Sequence, residues 1–186
     1  AFALAMKCRA RQRTFFHNQL LPNVSVLKAI SFTSEELDFL STATGDRDRE
    51  RDFWNQFEHA DMIGSLVQPD PELTVQLAQH LETFDRSGDL LSDEIIDRAE
   101  MVLVQARYLL PRYSVVVANP PYMGASRMSS ELKAWLKSEI PVGRAGLDVA
   151  FWARAMGLLV PSGRAGLVTM QSWMFLATYA EFRAAI

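Results

Sequence analysis

Thiols and imidazoles are scarce in this sequence: one cysteine, Cys8, and three histidines, His17, His59 and His80, stand among 186 residues. A single cysteine cannot build a disulfide framework, and the histidines share no spacing that would gather them around a metal. These absences predict a reducing, cytoplasmic setting and no structural metal. Long apolar runs are missing too, because Asp148 and Arg154 interrupt the most hydrophobic stretch, leaving nothing near the ~18 residues of a membrane span. A soluble protein with no membrane partner is expected. The opening is also in the wrong order for a secretory signal, with apolar Ala1–Met6 ahead of basic Lys7–Arg11. There is no initiator methionine, helical periodicity is under way at the first residue, and a helix is in progress at Ala184-Ala185-Ile186. The sequence is therefore expected to be an internal segment, incomplete at both ends.

What is present is enough apolar material for a core, with 49% hydrophobic residues. The net charge of −3 conceals a division along the chain. Residues 31–100 hold 18 acids against 5 bases, and the flanks hold the other 4 acids against 14 bases. If a polyanion is bound, the flanks and not the middle would face it.

Periodicity organises the chain as follows. Residues 1–13 read as a helix, with Cys8 as a small buried hydrophobe, followed by Leu21-Pro22 and a short strand at Asn23–Leu27. Thr33-Ser34-Glu35-Glu36 resembles a capping box that opens an acidic helical stretch, in which Asp46–Asp52 reads as a solvated helix face. Pro71-Glu72 opens a helix through Phe84. Ser92 is the expected cap of a longer one, with Ile95, Ala99, Val102, Ala106 and Leu109 turned toward a sheet. Met101 and the other methionines are expected to fill core gaps. Tyr113–Ala118 changes to a β-branched run, the pattern of a strand buried on both faces of a parallel sheet. Helices follow near 129–139 and 147–159, then a turn at Pro161-Ser162-Gly163, a buried strand over Arg164–Met170, and a helix from Tyr179. Strands alternating with helices predict an open α/β sheet.

The chemistry concentrates where the first strand stops, at Asn119-Pro120-Pro121-Tyr122. In open α/β sheets ligands collect beyond the carboxyl ends of the strands. The plain reading of Asn-Pro-Pro is a rigid turn, with Tyr122 covering the sheet edge. The chemical reading is more specific. The Asn119 side-chain oxygen and the Pro120 carbonyl are two acceptors held in place by prolines that fix the backbone and donate nothing. Aimed at an aromatic amino group such as the 6-amino group of adenine, they would draw its lone pair out of conjugation and make it nucleophilic. Tyr122 offers a face on which a base can stack.

Asn-Pro-Pro-Tyr after a hydrophobic strand resembles the amino-methyltransferase motif of adenine-specific DNA methyltransferases. Asn119–Gly124 with Val168–Phe175 is most similar to the large methyltransferases of BREX phage-exclusion systems, the PglX-type proteins. The resemblance implies a Rossmann-like, S-adenosylmethionine-dependent methyltransferase core with a helical insertion. Residues 1–30 would belong to the core, 31–100 to an acidic helical insertion, and 101–186 to the core carrying the motif. It implies methyl transfer from S-adenosyl-L-methionine to a flipped adenine in double-stranded DNA, in phage defence or restriction-modification, with other phage-defence proteins as further partners. Asn119, Pro120 and Tyr122 then carry over as catalytic, with Pro121, Gln171 and Trp173 lining the substrate site and the strand ending at Met170 forming the next wall. The glycine-rich cofactor loop and its ribose-binding acid would precede Ala1, and a second aromatic that sandwiches the base would follow Ile186. Where the family often has acidic-Leu-Tyr, this chain has Gly146-Leu147-Asp148, so no role passes to Asp148.

Other readings stay open. Trp173, beside Met174 and Phe175, suits a core as well as a pocket, and Arg127, Lys133, Lys137 and Arg144 suit plain surface as well as phosphate contacts. The same loop would serve methylation of a protein glutamine or an RNA base, or survive in a silent DNA-binding or scaffold module. The acidic stretch would serve equally as a partner-docking face.

Overall fold

Side-chain caps decide where most of the helices begin. The computed structural model describes residues 2–18, 23–85, 89–110 and 112–185. Leu21-Pro22 and Ile186 lie outside these. The chain opens with α1 (Phe2–Arg11). Cys8, on this helix, is exposed, a correction to its expected burial. At α2 (Ser34–Leu40) Thr33 and Glu36 form the reciprocal capping box that the sequence suggests.

The strand expected at Asn23–Leu27 does not form. Residues 23–33 run without regular structure, and from Lys28 onward side chains take up several of their backbone groups. The buried Gln105 pairs with both the N–H and the carbonyl of Lys28, Asn55 does the same for Phe32, and Arg98 donates to the Ser31 carbonyl at 2.9 Å.

Asp46 caps α3 (Arg47–Asn55), in which the mixed-charge run is only partly solvated. Glu50 turns inward, buried, and accepts from the N–H and hydroxyl of Thr42 at 2.8 and 2.5 Å. After α4 (Ala60–Ile63), Asp70 caps α5 (Pro71–Leu81), whose first-turn proline needs no N–H partner. In α6 (Leu90–Tyr108) the cap is Asp89. Ser92 instead donates to the Asp89 carboxylate at 2.8 Å, which corrects the expected start.

Trp54, Phe57, Leu40, Leu66, Leu77, Val102 and Leu136 are fully buried in one apolar cluster that runs from Ile30 to Ala150. The acidic helices thus share their core with α7 (Ser130–Glu139) and α8 (Leu147–Leu158), and α6 packs on α5 rather than on a sheet. The methionines are less internal than expected. Met128 is buried, whereas Met101, Met6, Met156, Met170 and Met174 are exposed, since the faces of α1, α6 and α8 that carry three of them, and the segment after the second strand, point to solvent. Arg154 of α8 is buried and ties this core together, donating to the carbonyls of Ser65 and Leu109 at 3.0 and 2.6 Å. Burial, with no carboxylate partner among the described residues, pulls its pKa down to about 10.

The sheet pairs β1 (Tyr113–Ala118) in parallel with β2 (Leu159–Leu167), the crossover carrying α7 and α8. Among the described residues it has two strands. Val115 and Val117 are therefore open to solvent, Val117 by 79%, where burial on both faces is the sequence expectation. A strand with one neighbour keeps a free edge, and nothing described covers its outer face. The chain turns at Pro161-Ser162-Gly163 as expected, but inside the span of β2: Tyr113 lies opposite Leu159 and Val115 opposite Arg164, Ser162 stands at φ 68°, and a Cβ on Gly163 would lie 2.9 Å from the Val160 carbonyl oxygen. The strand ends at Leu167 rather than Met170. Beyond it come α9 (Ser172–Phe175) and α10 (Ala180–Ala185).

Candidate active site

The β-branched run of β1 ends where the prolines of the next segment can no longer pair, so Asn119 emerges at the carboxyl end of the strand. The Val168 N–H donates to the Ala118 carbonyl at 3.1 Å, bringing the end of β2 alongside that point. Asn119 is exposed, Pro120 is buried beneath it, and Pro121 is exposed. The Tyr122 hydroxyl donates to the Asn119 Oδ1 at 3.0 Å. This bond turns the carboxamide oxygen, rather than its NH2, toward the tyrosine. A carbonyl oxygen has two lone pairs, so Oδ1 keeps room for a second donor. Tyr122 is 46% exposed, which leaves part of its ring open to a flat ligand.

The loop beyond Tyr122 is tied to α8. Met123 N–H closes back on the Pro121 carbonyl at 3.0 Å, Leu147 N–H donates to the Met123 carbonyl at 2.9 Å, and Ala125 N–H donates to the Ala145 carbonyl at 3.2 Å. Gly124 bridges Gly146 in antiparallel fashion. The four residues from Asn119 therefore sit between a strand and a helix start, both fixed.

The second arm of the site follows β2. Gln171 is exposed at the head of α9. Trp173 is half-buried and edge-on to Trp152 and Phe182, with centroids 4.9 and 5.6 Å away. Its indole N–H donates to Thr169 Oγ1 at 3.1 Å, and Arg183 donates to the Trp173 and Leu176 carbonyls at 2.7 and 2.8 Å. Trp173 thus anchors α9 from within a small aromatic cluster, while Met174, Phe175 and Leu176 face out, Phe175 by 75%. Arg127, Lys133, Lys137 and Arg144 are exposed, and Arg144 pairs with Glu181 at 3.0 Å.

One residue given no role by the sequence belongs to this region. Asp148, in the first turn of α8, is 3% exposed and accepts from the Met170 N–H at 3.4 Å. The signal that would have found it is an acid followed at once by Val149-Ala150-Phe151-Trp152, where burial is expected and a lone charge is costly. No helix among the described residues is long and apolar enough to cross a membrane.

Comparison with known proteins bears directly on this loop. Residues 108–186 match the family described as Eco57I restriction-modification methylase, a span that contains β1, the Asn119 loop and β2. The chain is 38% identical over 130 residues, 68% of its length, to the adenine-specific methyltransferase BrxX of Escherichia coli O9:H4 (strain HS). It is 27% identical over 191 aligned residues, 98% of its length, to the adenine-specific methyltransferase PglX of Lacticaseibacillus casei (strain Zhang). The chain spans 11% of the first relative and 16% of the second.

Proposed function

Because this chain belongs to the adenine-specific methyltransferase family represented by BrxX and PglX, we propose that it carries the target-base side of a DNA adenine methyltransferase active site. In this reading the two strands belong to a Rossmann-like, S-adenosylmethionine-dependent core, with residues 1–30 and 101–186 in the core and 31–100 inserted into it. The open edge and bare outer face of β1 suit a sheet that continues. The observation that carries the reading is the Tyr122 hydroxyl donating to Asn119 Oδ1 at 3.0 Å at the carboxyl end of a parallel strand.

The chemistry follows from the acceptors. The lone pair of the adenine 6-amino nitrogen is delocalised into the ring, which makes it a poor nucleophile. Hydrogen bonds from both amino hydrogens, one to Asn119 Oδ1 and one to the Pro120 carbonyl, favour the geometry in which that lone pair stands out of the ring plane. Tyr122 holds the carboxamide in the accepting orientation and stacks on the base, which must leave the duplex for its amino group to be reached. Stacking worth ~1–3 kcal/mol offsets much of the few kcal/mol spent on extrusion. Pro121 keeps the backbone rigid, and Gln171 borders the pocket. Trp173 acts by holding α9 in place. The exposed Arg127, Lys133 and Lys137 lie in reach of phosphates, which would make binding fall with salt.

S-adenosylmethionine is the methyl donor that the family implies. The described residues do not make up a site for it. Among the described residues no glycine-rich turn adjoins β1, and Asp148, the carboxylate at the loop's far wall, is buried with its Oδ2 turned to the Met170 N–H. The setting is phage defence or restriction-modification, with double-stranded DNA as substrate and other defence proteins as partners.

The reading is tested in cells that lack the gene and receive the full-length protein, either intact or with Asn119→Ala. Nucleoside analysis of genomic DNA should show 6-methyladenine with the first and background with the second. Equal 6-methyladenine in both would remove Asn119 from the chemistry. Methylation confined to protein or RNA would move the substrate to another class.

A further inference from the structure

The first turn of α8 touches both arms of the candidate site. On one side Leu147 N–H and Gly146 hold the loop at Met123 and Gly124, immediately beyond Tyr122. On the other, the Asp148 carboxylate takes the Met170 N–H and so holds the segment that leads into Gln171 and α9. Space for that carboxylate is provided by Gly146, where an added Cβ would lie 2.7 Å from Asp148 Oδ1 and 3.0 Å from the Tyr179 hydroxyl. Asp148 has no ion-pair partner among the described residues. A buried carboxylate of this kind is destabilising compared with an apolar side chain of similar volume, so its presence calls for a task that an apolar residue would not perform.

We infer that Asp148 is a positioning residue, which sets the separation between the Asn119–Tyr122 loop and the Met170–Gln171 wall. Leu147 and Asp148 are consecutive, so the helix start acts as a bracket with one residue on each arm. The reading rests on Asn119–Tyr122 being the target-base loop. Under it, Asp148 touches neither base nor donor and acts through the Met170 backbone.

Two substitutions in the full-length protein separate this role from simple core support. Asp148→Leu keeps the branched outline of the side chain and removes the acceptor, and Asp148→Asn keeps both shape and an acceptor oxygen. Hydrogen exchange followed over residues 167–175 reads the bracket without any reaction. Methyl transfer to DNA reads its consequence. In Asp148→Leu, exchange over 167–175 should quicken and kcat should fall, each about tenfold, while KM for DNA changes less than about twofold. Asp148→Asn should stay close to the parent in both readouts. Unchanged exchange at 167–175 in Asp148→Leu would overturn the inference. So would acceleration spread evenly over the protein, or an Asp148→Asn variant as impaired as Asp148→Leu. A parent protein that brackets normally but transfers no methyl to DNA would refute the proposed function and leave the bracket standing.

Discussion

Tyr122 has two separable tasks in this account, and two substitutions resolve them. Tyr122→Phe keeps the ring and removes the hydroxyl that donates to Asn119 Oδ1 at 3.0 Å. A partly exposed neutral hydrogen bond contributes ~0.5–1.5 kcal/mol, so freeing the carboxamide to rotate should lower kcat/KM for methyl transfer by roughly fivefold. Tyr122→Ala removes the ring as well and adds a stacking loss of ~1–3 kcal/mol, for a total fall of roughly a hundredfold. Steady-state methyl transfer by the full-length protein gives these ratios, and 2-aminopurine at the target position reports extrusion of the base independently. The phenylalanine variant should extrude the base like the parent, and the alanine variant should not. A phenylalanine variant as impaired as the alanine variant would refute the division of labour, because the ring would then contribute nothing on its own. An alanine variant with parental extrusion would refute stacking.

Gly45→Ala should destabilise the acidic helices by about 2 kcal/mol or more in denaturant unfolding, because its Cβ would fall 1.8 Å from the buried Glu50 carboxylate and strip it of the Thr42 bonds. Arg154→Met orphans the Ser65 and Leu109 carbonyls at ~1–3 kcal/mol each but removes a desolvated guanidinium; a net loss of about 2 kcal/mol is expected, and a more stable variant would show that desolvation dominates. Asp70→Ala removes the α5 cap and should lower stability by about 1 kcal/mol at neutral pH. The Asp70 carboxyl is held below its ordinary value by the Leu73 N–H first, despite partial desolvation, and also by the Glu72 N–H and Arg49. Its contribution is therefore complete above the ordinary aspartate pKa of 3.8 and disappears as pH falls below that value. The difference between parent and variant should accordingly shrink in acid.

The site was legible because its signal is local. Two prolines after a β-branched run stop a strand wherever the strand lies, and Asn119 and Tyr122 then fall at its carboxyl end. Helix starts with a reciprocal signature, such as Thr33 with Glu36, were legible for the same reason. Asp89 was missed at α6 because Ser92 offered an equally good cap three residues later, and the two side chains bond to each other. What depends on distant partners was not legible. A β-rich run at 23–27 reads as a strand, but no strand among the described residues pairs with it, and the residue that follows it, Lys28, has both backbone groups taken by Gln105, 77 residues away. Burial of β1 depends on which strands and helices lie beside it, and the period of its own residues does not record them. Trp173-Met174-Phe175 reads as uniformly apolar, whereas the structure turns the first inward against Trp152 and Phe182 and the next two outward.

Under the proposed function the Asn119 carboxamide prepares the 6-amino group of adenine for methylation. The most direct test of this claim is transfer of labelled methyl from S-adenosylmethionine to duplex DNA by the purified full-length protein, compared with Asn119→Ala and followed by separation of the nucleosides. Label in 6-methyladenine that disappears in the variant, with DNA binding unchanged, is the predicted result. Label that persists in the variant, or that never enters DNA although the protein binds it, would contradict the claim.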